Sequence, residues 1–204
     1  MGLPQPIPHM SLDEFTEWVL TQDRKYEYYK GEIFDVYAMA GAKADHNRIA
    51  GNVFAALHSA LKGKPCEPFI ADMMVRVEAD DVGYYPDVMV TCSAEDRARQ
   101  AFKTDPLLIV EVLSPSTPAY DRGKKFASYR LLPTLQHVVF VDPEAMSIDH
   151  FQRDGDRWTL LPSATRHLDF VEIEFQIAKA DIFAGTVDAN KSGLQPQPQP
   201  QAQP

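Results

Sequence analysis

The distribution of apolar and polar positions along the chain predicts an α/β protein. Ser11-Leu12-Asp13-Glu14 has the form of a capping box, serine at the cap and glutamate three residues on, opening a helix to about Leu20. Between Tyr26 and Met39 the residues turn aromatic and β-branched, interrupted by Lys30-Gly31. That pattern predicts a hairpin, with Glu32 to Tyr37 as one strand. From His46 to Leu61 the residues Ile49, Val53, Ala56, Leu57, Ala60 and Leu61 recur at helical spacing, and Gly63 and Pro65 end the run.

Strands follow. Phe69, Ala71, Met73, Val75 and Val77 alternate with Ile70, Asp72, Met74, Arg76 and Glu78, the period of a half-buried strand. Ala79 to Gly83 reads as the turn and Tyr84 to Thr91 as the returning strand. Leu107 to Leu113 is apolar at every position but Glu111, as in a central strand covered on both faces. Ser114 to Pro118 breaks it, and a helix from about Tyr120 to Leu131 precedes another buried strand, Gln136 to Val141. Ser147–Arg153 and Arg157–Leu161 read as a hairpin turned at Asp154-Gly155. The whole is a mixed central sheet flanked by helices.

Composition narrows the class. A chain of 204 residues, 45% apolar, suits one domain with a real core. We read residues 1–10 as an N-terminal arm, 11–188 as the domain, and 189–204 as a disordered Gln/Pro-rich tail. Cys66 and Cys92 have no zinc-ligand spacing and read as reduced thiols of a cytoplasmic protein. No signal-peptide pattern and no apolar stretch of about 20 residues is present, so no membrane association is expected. The net charge of −9 argues against a protein that coats nucleic acid with a broad basic surface. It leaves room for an enzyme that grips a backbone locally and offsets its own carboxylates with a metal ion.

Three residues carry candidate chemistry. Glu111 stands alone among aliphatic residues on a strand expected to be buried. A carboxylate there costs several kcal/mol unless it is paired, hydrogen-bonded or metal-bound. The bland alternative is a structural ion pair with Arg76 or Arg130. Asp87 follows Pro86 at a strand start, where proline is tolerated and fixes the backbone; a Pro-Asp turn is the plain alternative. Two carboxylates on neighbouring strands suit a hard divalent cation. Asp121, Lys125 and Tyr129 fall four residues apart and share a helix face, so Lys125 arrives beside the strand end; a solvated Asp–Lys pair is the alternative, and Lys124 is an equal candidate. His46 opens a helix and reads as a solvated first-turn residue, with contact to a phosphate as the alternative, and Asp72 with Arg76 reads as a surface pair.

Taken together, Pro86-Asp87, Glu111-Val112-Leu113-Ser114-Pro115-Ser116-Thr117, Asp121-Arg122-Gly123 leading to Lys125 and Tyr129, and Val141-Asp142-Pro143 strongly resemble one bacterial family. It is the Uma-type family of restriction-endonuclease relatives, within the PD-(D/E)XK nuclease superfamily. The resemblance runs from about Ser11 to Ile182 and includes Gly31-Glu32 and His46. It implies a restriction-endonuclease-like core and an endonuclease that hydrolyses phosphodiester bonds, with DNA as the favoured nucleic-acid substrate and a homodimer as a plausible assembly. It also implies Mg2+ or Mn2+ held by Asp87 and Glu111, with the Val112 carbonyl, and Lys125 as charge stabiliser. Glu32 resembles the glutamate that many superfamily members contribute from an early element, and equally reads as a charge on a surface hairpin. The superfamily lysine usually sits two residues after the second acid; Leu113 is there instead, and the Uma-type pattern moves the lysine to Lys125. The rivals are a nuclease-fold binding or assembly module without catalysis, and a carboxylate-pair hydrolase needing no metal.

Overall fold

A computed structural model describes residues 9–35, 44–114, 118–162 and 166–187. Most of the N-terminal arm, residues 36 and 37 of the first hairpin, and the Gln/Pro tail lie outside these. The first helix, α1 (Leu12–Val19), begins at the expected capping box: Ser11 N–H donates to Glu14 Oε2 at 2.8 Å and Glu14 N–H to Ser11 Oγ at 3.3 Å. Such a cap contributes about 1 kcal/mol. Leu12, Phe15 and Val19 pack from one face of α1 against Tyr28 and Met74. Strands β1 (Tyr26–Tyr29) and β2 (Glu32–Asp35) form the expected hairpin, with Lys30 and Gly31 at φ 50° and 88° between them. Both central residues are left-handed, as a type I′ turn demands.

The long helix α2 (Ala44–Leu61) buries Ile49, Val53, Leu57 and Leu61, and Gly63 at φ 79° follows its end. Next come β3 (Glu67–Ile70), β4 (Met74–Val77), β5 (Val82–Tyr84) and β6 (Val88–Thr91). Each of the two strands expected between Phe69 and Thr91 is therefore broken in two. Both halves β3 and β6 belong to one sheet and β4 and β5 to another, so the chain crosses between sheets at 71–73 and again at 85–87. Ala71 takes φ 60° at the first crossing and donates its N–H to the Asp87 carbonyl at the second, 2.9 Å away. The alternation expected for 69–78 is not kept either. All four residues of β4 are buried, because the strand is covered on both faces. Arg76 is buried against Asp13 at 2.6 Å, and Asp72 pairs with Lys25 at 2.5 Å, in place of the surface Asp72–Arg76 pair.

After α3 (Ala94–Ala98) and β7 (Phe102–Lys103) comes the central strand β8 (Pro106–Val112). The helical segment after it is composite: α4 (Pro118–Tyr120), a π turn over Asp121–Lys125, and α5 (Phe126–Tyr129). It returns the chain to β9 (His137–Asp142), parallel to β8, which is the connection a parallel pair needs. Strands β10 (Ser147–Asp154) and β11 (Arg157–Leu160) form the later hairpin; register pairs Asp154 with Arg157, so its loop is Gly155-Asp156, one residue beyond the expected turn. A small hairpin, β12 (His167–Phe170) and β13 (Phe175–Ala178), and α6 (Lys179–Ile182) complete the described chain.

The five-stranded sheet has the order β2-β1-β5-β4-β7 and the six-stranded sheet β11-β10-β9-β8-β6-β3. Alternate residues of the larger sheet serve two cores. Val88, Val90, Val110, Val139 and Val141 pack with α2 and the β12–β13 hairpin. Met89, Ile109, Val138 and Phe140 pack with Val75, Val77 and Tyr84 of the smaller sheet and with Tyr129. Cys66 and Cys92 are disulfide-bonded, Cα atoms 4.0 Å apart, which corrects the reading of reduced thiols. The β3–β6 register pairs Glu67 with Thr91, so its next step sets the two cysteines opposite each other, a neighbourhood that 26 residues of separation hid. Among the described residues no helix is long and apolar enough to cross a membrane.

Candidate active site

The site forms where the central strands of the larger sheet meet the π turn and the first strand of the smaller sheet. Antiparallel register pairs Val88 with Val110, and one further step sets Asp87 opposite Glu111. Asp87 Oδ2 accepts the Val112 backbone N–H at 2.7 Å, which fastens the end of β6 to β8. Pro86 suits this crossing, since the chain is leaving one ladder for another and its N–H is not needed.

Glu111 is 4% exposed and both of its described contacts fall on one oxygen. The Tyr129 hydroxyl donates to Oε1 at 2.7 Å and Lys125 Nζ lies 3.5 Å from the same atom. Burial pushes the Glu111 carboxyl up to about 8, against the opposing pull of the Lys125 charge. Lys125 is buried too, and its ammonium lies 2.9 Å from Glu27 Oε1 and 3.8 Å from Asp121 Oδ1, with the Tyr84 ring centroid at 5.4 Å. Burial alone lowers an amine; here the charges of Glu111, Glu27 and Asp121 outweigh it and hold Lys125 well above its ordinary value. It is thus Lys125 that enters the cluster, while Lys124 is exposed with its ammonium 5.1 Å from the centre of the Tyr29 ring.

The structure brings together Asp87, Glu111 and Lys125 of the sequence-derived set. Glu32 is exposed on β2, and the glutamate inside the cluster is Glu27 on the paired strand β1. Glu27 is 3% exposed and its Oε2 has no hydrogen-bond partner among the described residues. A signal for it existed: Glu27 is a lone charge in the run Tyr26-Glu27-Tyr28-Tyr29, the same anomaly that exposes Glu111. His46, read as solvated, is instead tucked against the site, Nε2 3.4 Å from Asp87 Oδ2. Burial pulls its imidazole down, yet the hydrogen bond and charge of Asp87 and a bond to the Val112 carbonyl raise it above its ordinary value.

Among the described residues no three of histidine, cysteine, aspartate and glutamate form a ready-made metal cage. The chemistry of the donors nevertheless fits a hard divalent cation. Asp87 stands opposite Glu111 in the register, Glu27 carries a buried oxygen without a hydrogen-bond partner among the described residues, and the carboxylates Glu27, Asp87, Glu111 and Asp121 outnumber the single lysine of the cluster, Lys125.

This two-sheet core has the fold of a protein already solved. It superposes on a solved structure titled as a "putative nuclease belonging to DUF820" from Anabaena variabilis ATCC 29413, with a TM-score of 0.68, covering 85% of this chain and 97% of that one at 16% identity. The chain belongs to the Uma2 family, whose model, described as "Putative restriction endonuclease", matches residues 12–178. Among its relatives are two Synechocystis proteins of uncharacterized function. Protein slr1290 is 37% identical over 182 residues, 88% of this chain and 94% of the relative. Protein sll1609 is 35% identical over 158 residues, 76% of this chain and 86% of the relative.

Proposed function

We propose that the protein is a metal-dependent endonuclease that hydrolyses phosphodiester bonds, with DNA as its substrate. One observation carries the reading: two facing carboxylates, Asp87 and Glu111, stand beside a buried lysine that is itself fixed by acids. Asp87 and Glu111 would hold Mg2+ or Mn2+, which when bound polarises the scissile phosphate and lowers the pKa of water. Lys125 keeps its proton throughout, so it supplies a fixed positive charge beside the reacting phosphate. Glu27 shares that ammonium and offers its second oxygen to the proton of an attacking water. His46 holds Asp87 in place from the first turn of α2. The family and the fold support a nuclease; the oxygen-rich donor set supports the metal.

The test is cleavage of plasmid, single-stranded DNA and RNA with EDTA, Mg2+ or Mn2+, beside Asp87→Ala and Glu111→Ala. Metal-dependent cleavage of DNA that falls by ~10²-fold or more in both variants is the expected result. Cleavage that persists in EDTA, or in both variants, would overturn it, and a preference for RNA would overturn the substrate.

A further inference from the structure

We propose that Tyr129, carried into the site by the π turn, is a positioning residue that sets which oxygen of Glu111 meets the metal. The inference rests on the metal-dependent reading above. Tyr129 is fully buried, and its hydroxyl donates at 2.7 Å to Oε1 of Glu111, the oxygen that Lys125 also touches. A carboxylate with one oxygen held by both a phenol and an ammonium cannot swing, so Oε2 becomes the oxygen presented to the cation. Losing a partner that fixes a ligand in this way typically costs ~10- to 100-fold in metal affinity.

The local geometry explains why a tyrosine does this from a helix. In an α-helix, residues four apart drift by ~40° around the axis at each step. Asp121, Lys125 and Tyr129 would then share a face but spread over ~80° of it. A π turn winds less per residue, and the one at Asp121–Lys125 takes up part of that drift, so that all three side chains converge on the Glu111–Glu27 cluster. The Tyr129 ring is held in turn by Tyr84, edge to face at 5.7 Å.

A merely structural hydroxyl would satisfy Glu111 without affecting the metal, and Mn2+ distinguishes the two. Mn2+ affinity is measured by calorimetry and by the electron-paramagnetic signal of free Mn2+, on wild type, Tyr129→Phe and Tyr84→Phe. Tyr84→Phe is the control: it removes a neighbouring buried hydroxyl that makes no described contact with Glu111, and keeps the ring. Melting without metal identifies any variant that is simply loosened. The expected result is a ~10- to 100-fold rise in the Mn2+ Kd of Tyr129→Phe, with Tyr84→Phe close to wild type. Equal affinity in wild type and Tyr129→Phe would overturn the inference and leave the metal reading standing, as would an equal loss in both variants. A wild type that takes up no Mn2+ would remove the metal reading and the inference with it.

Discussion

Two glutamates five residues apart, Glu27 and Glu32, have opposite environments, and that contrast is open to experiment. Glu27 is buried on the salt bridge to Lys125, whereas Glu32 is exposed at the other end of the hairpin. Glu27→Ala is expected to lower cleavage by ~10²-fold and Glu32→Ala to leave it within about twofold; the reverse order in a plasmid-nicking assay would return Glu32 to the site. At this scale the sequence was informative wherever a charge interrupted an apolar run. Glu111 stood out on that ground and Asp87 and Lys125 followed from it. Glu27 escaped because aromatic residues flank it and Glu32 sits in a more familiar place after Gly31. His46 escaped because a helix start says nothing about what faces it; only the packing of α2 onto the larger sheet brings it to Asp87.

The segment from Pro118 to Tyr129 shows what periodicity can and cannot convey. Its helical character and its inward face were legible, but a π turn leaves no signature in apolar spacing over so few residues. Gly123 lies within that turn, and a methyl group added there would meet nothing within 4 Å. Gly123→Ala is therefore expected to raise stability by about 0.5–1 kcal/mol through lost backbone freedom in the unfolded chain, measured by denaturant titration. A loss of stability instead would mean that the turn requires glycine. Strand existence was likewise legible and strand continuity was not. The breaks at 71–73 and 85–87 follow from sheet exchange, a long-range choice, and of the two only Pro86 announced itself locally.

Across the whole molecule, a buried histidine pair ties the β12–β13 hairpin region to the larger sheet. His137 Nε2 lies 2.7 Å from Glu172 Oε2 and His137 Nδ1 3.0 Å from His150 Nε2, with Phe170 against both rings. Burial and the neighbouring His137 push His150 down to about 4 from 6.5, though Asp169 and Glu172 oppose this. The unfolded chain then binds the extra proton first. The contribution of His150 is full above pH 6.5 and is lost as pH drops from 6.5 toward about 4, by roughly 3 kcal/mol at most. Denaturant unfolding of wild type and His150→Phe at pH 7.5 and 5 isolates this contribution from the opposing ones of Glu111 and His46: the wild type should lose more stability, or gain less, than the variant on going to pH 5, and an equal change in both would place the pH dependence elsewhere.

The crossing of two strands between sheets also decides what partial unfolding does to the site. Asp87 and Glu111 belong to the larger sheet and Glu27 to the smaller, with Lys125 spanning the seam. Were the smaller sheet to peel away alone, the facing acids could survive, but the lysine would lose Glu27 and its fixed place. The geometry of the cluster thus reports on the docking of two halves that the chain threads together repeatedly between β2 and β8.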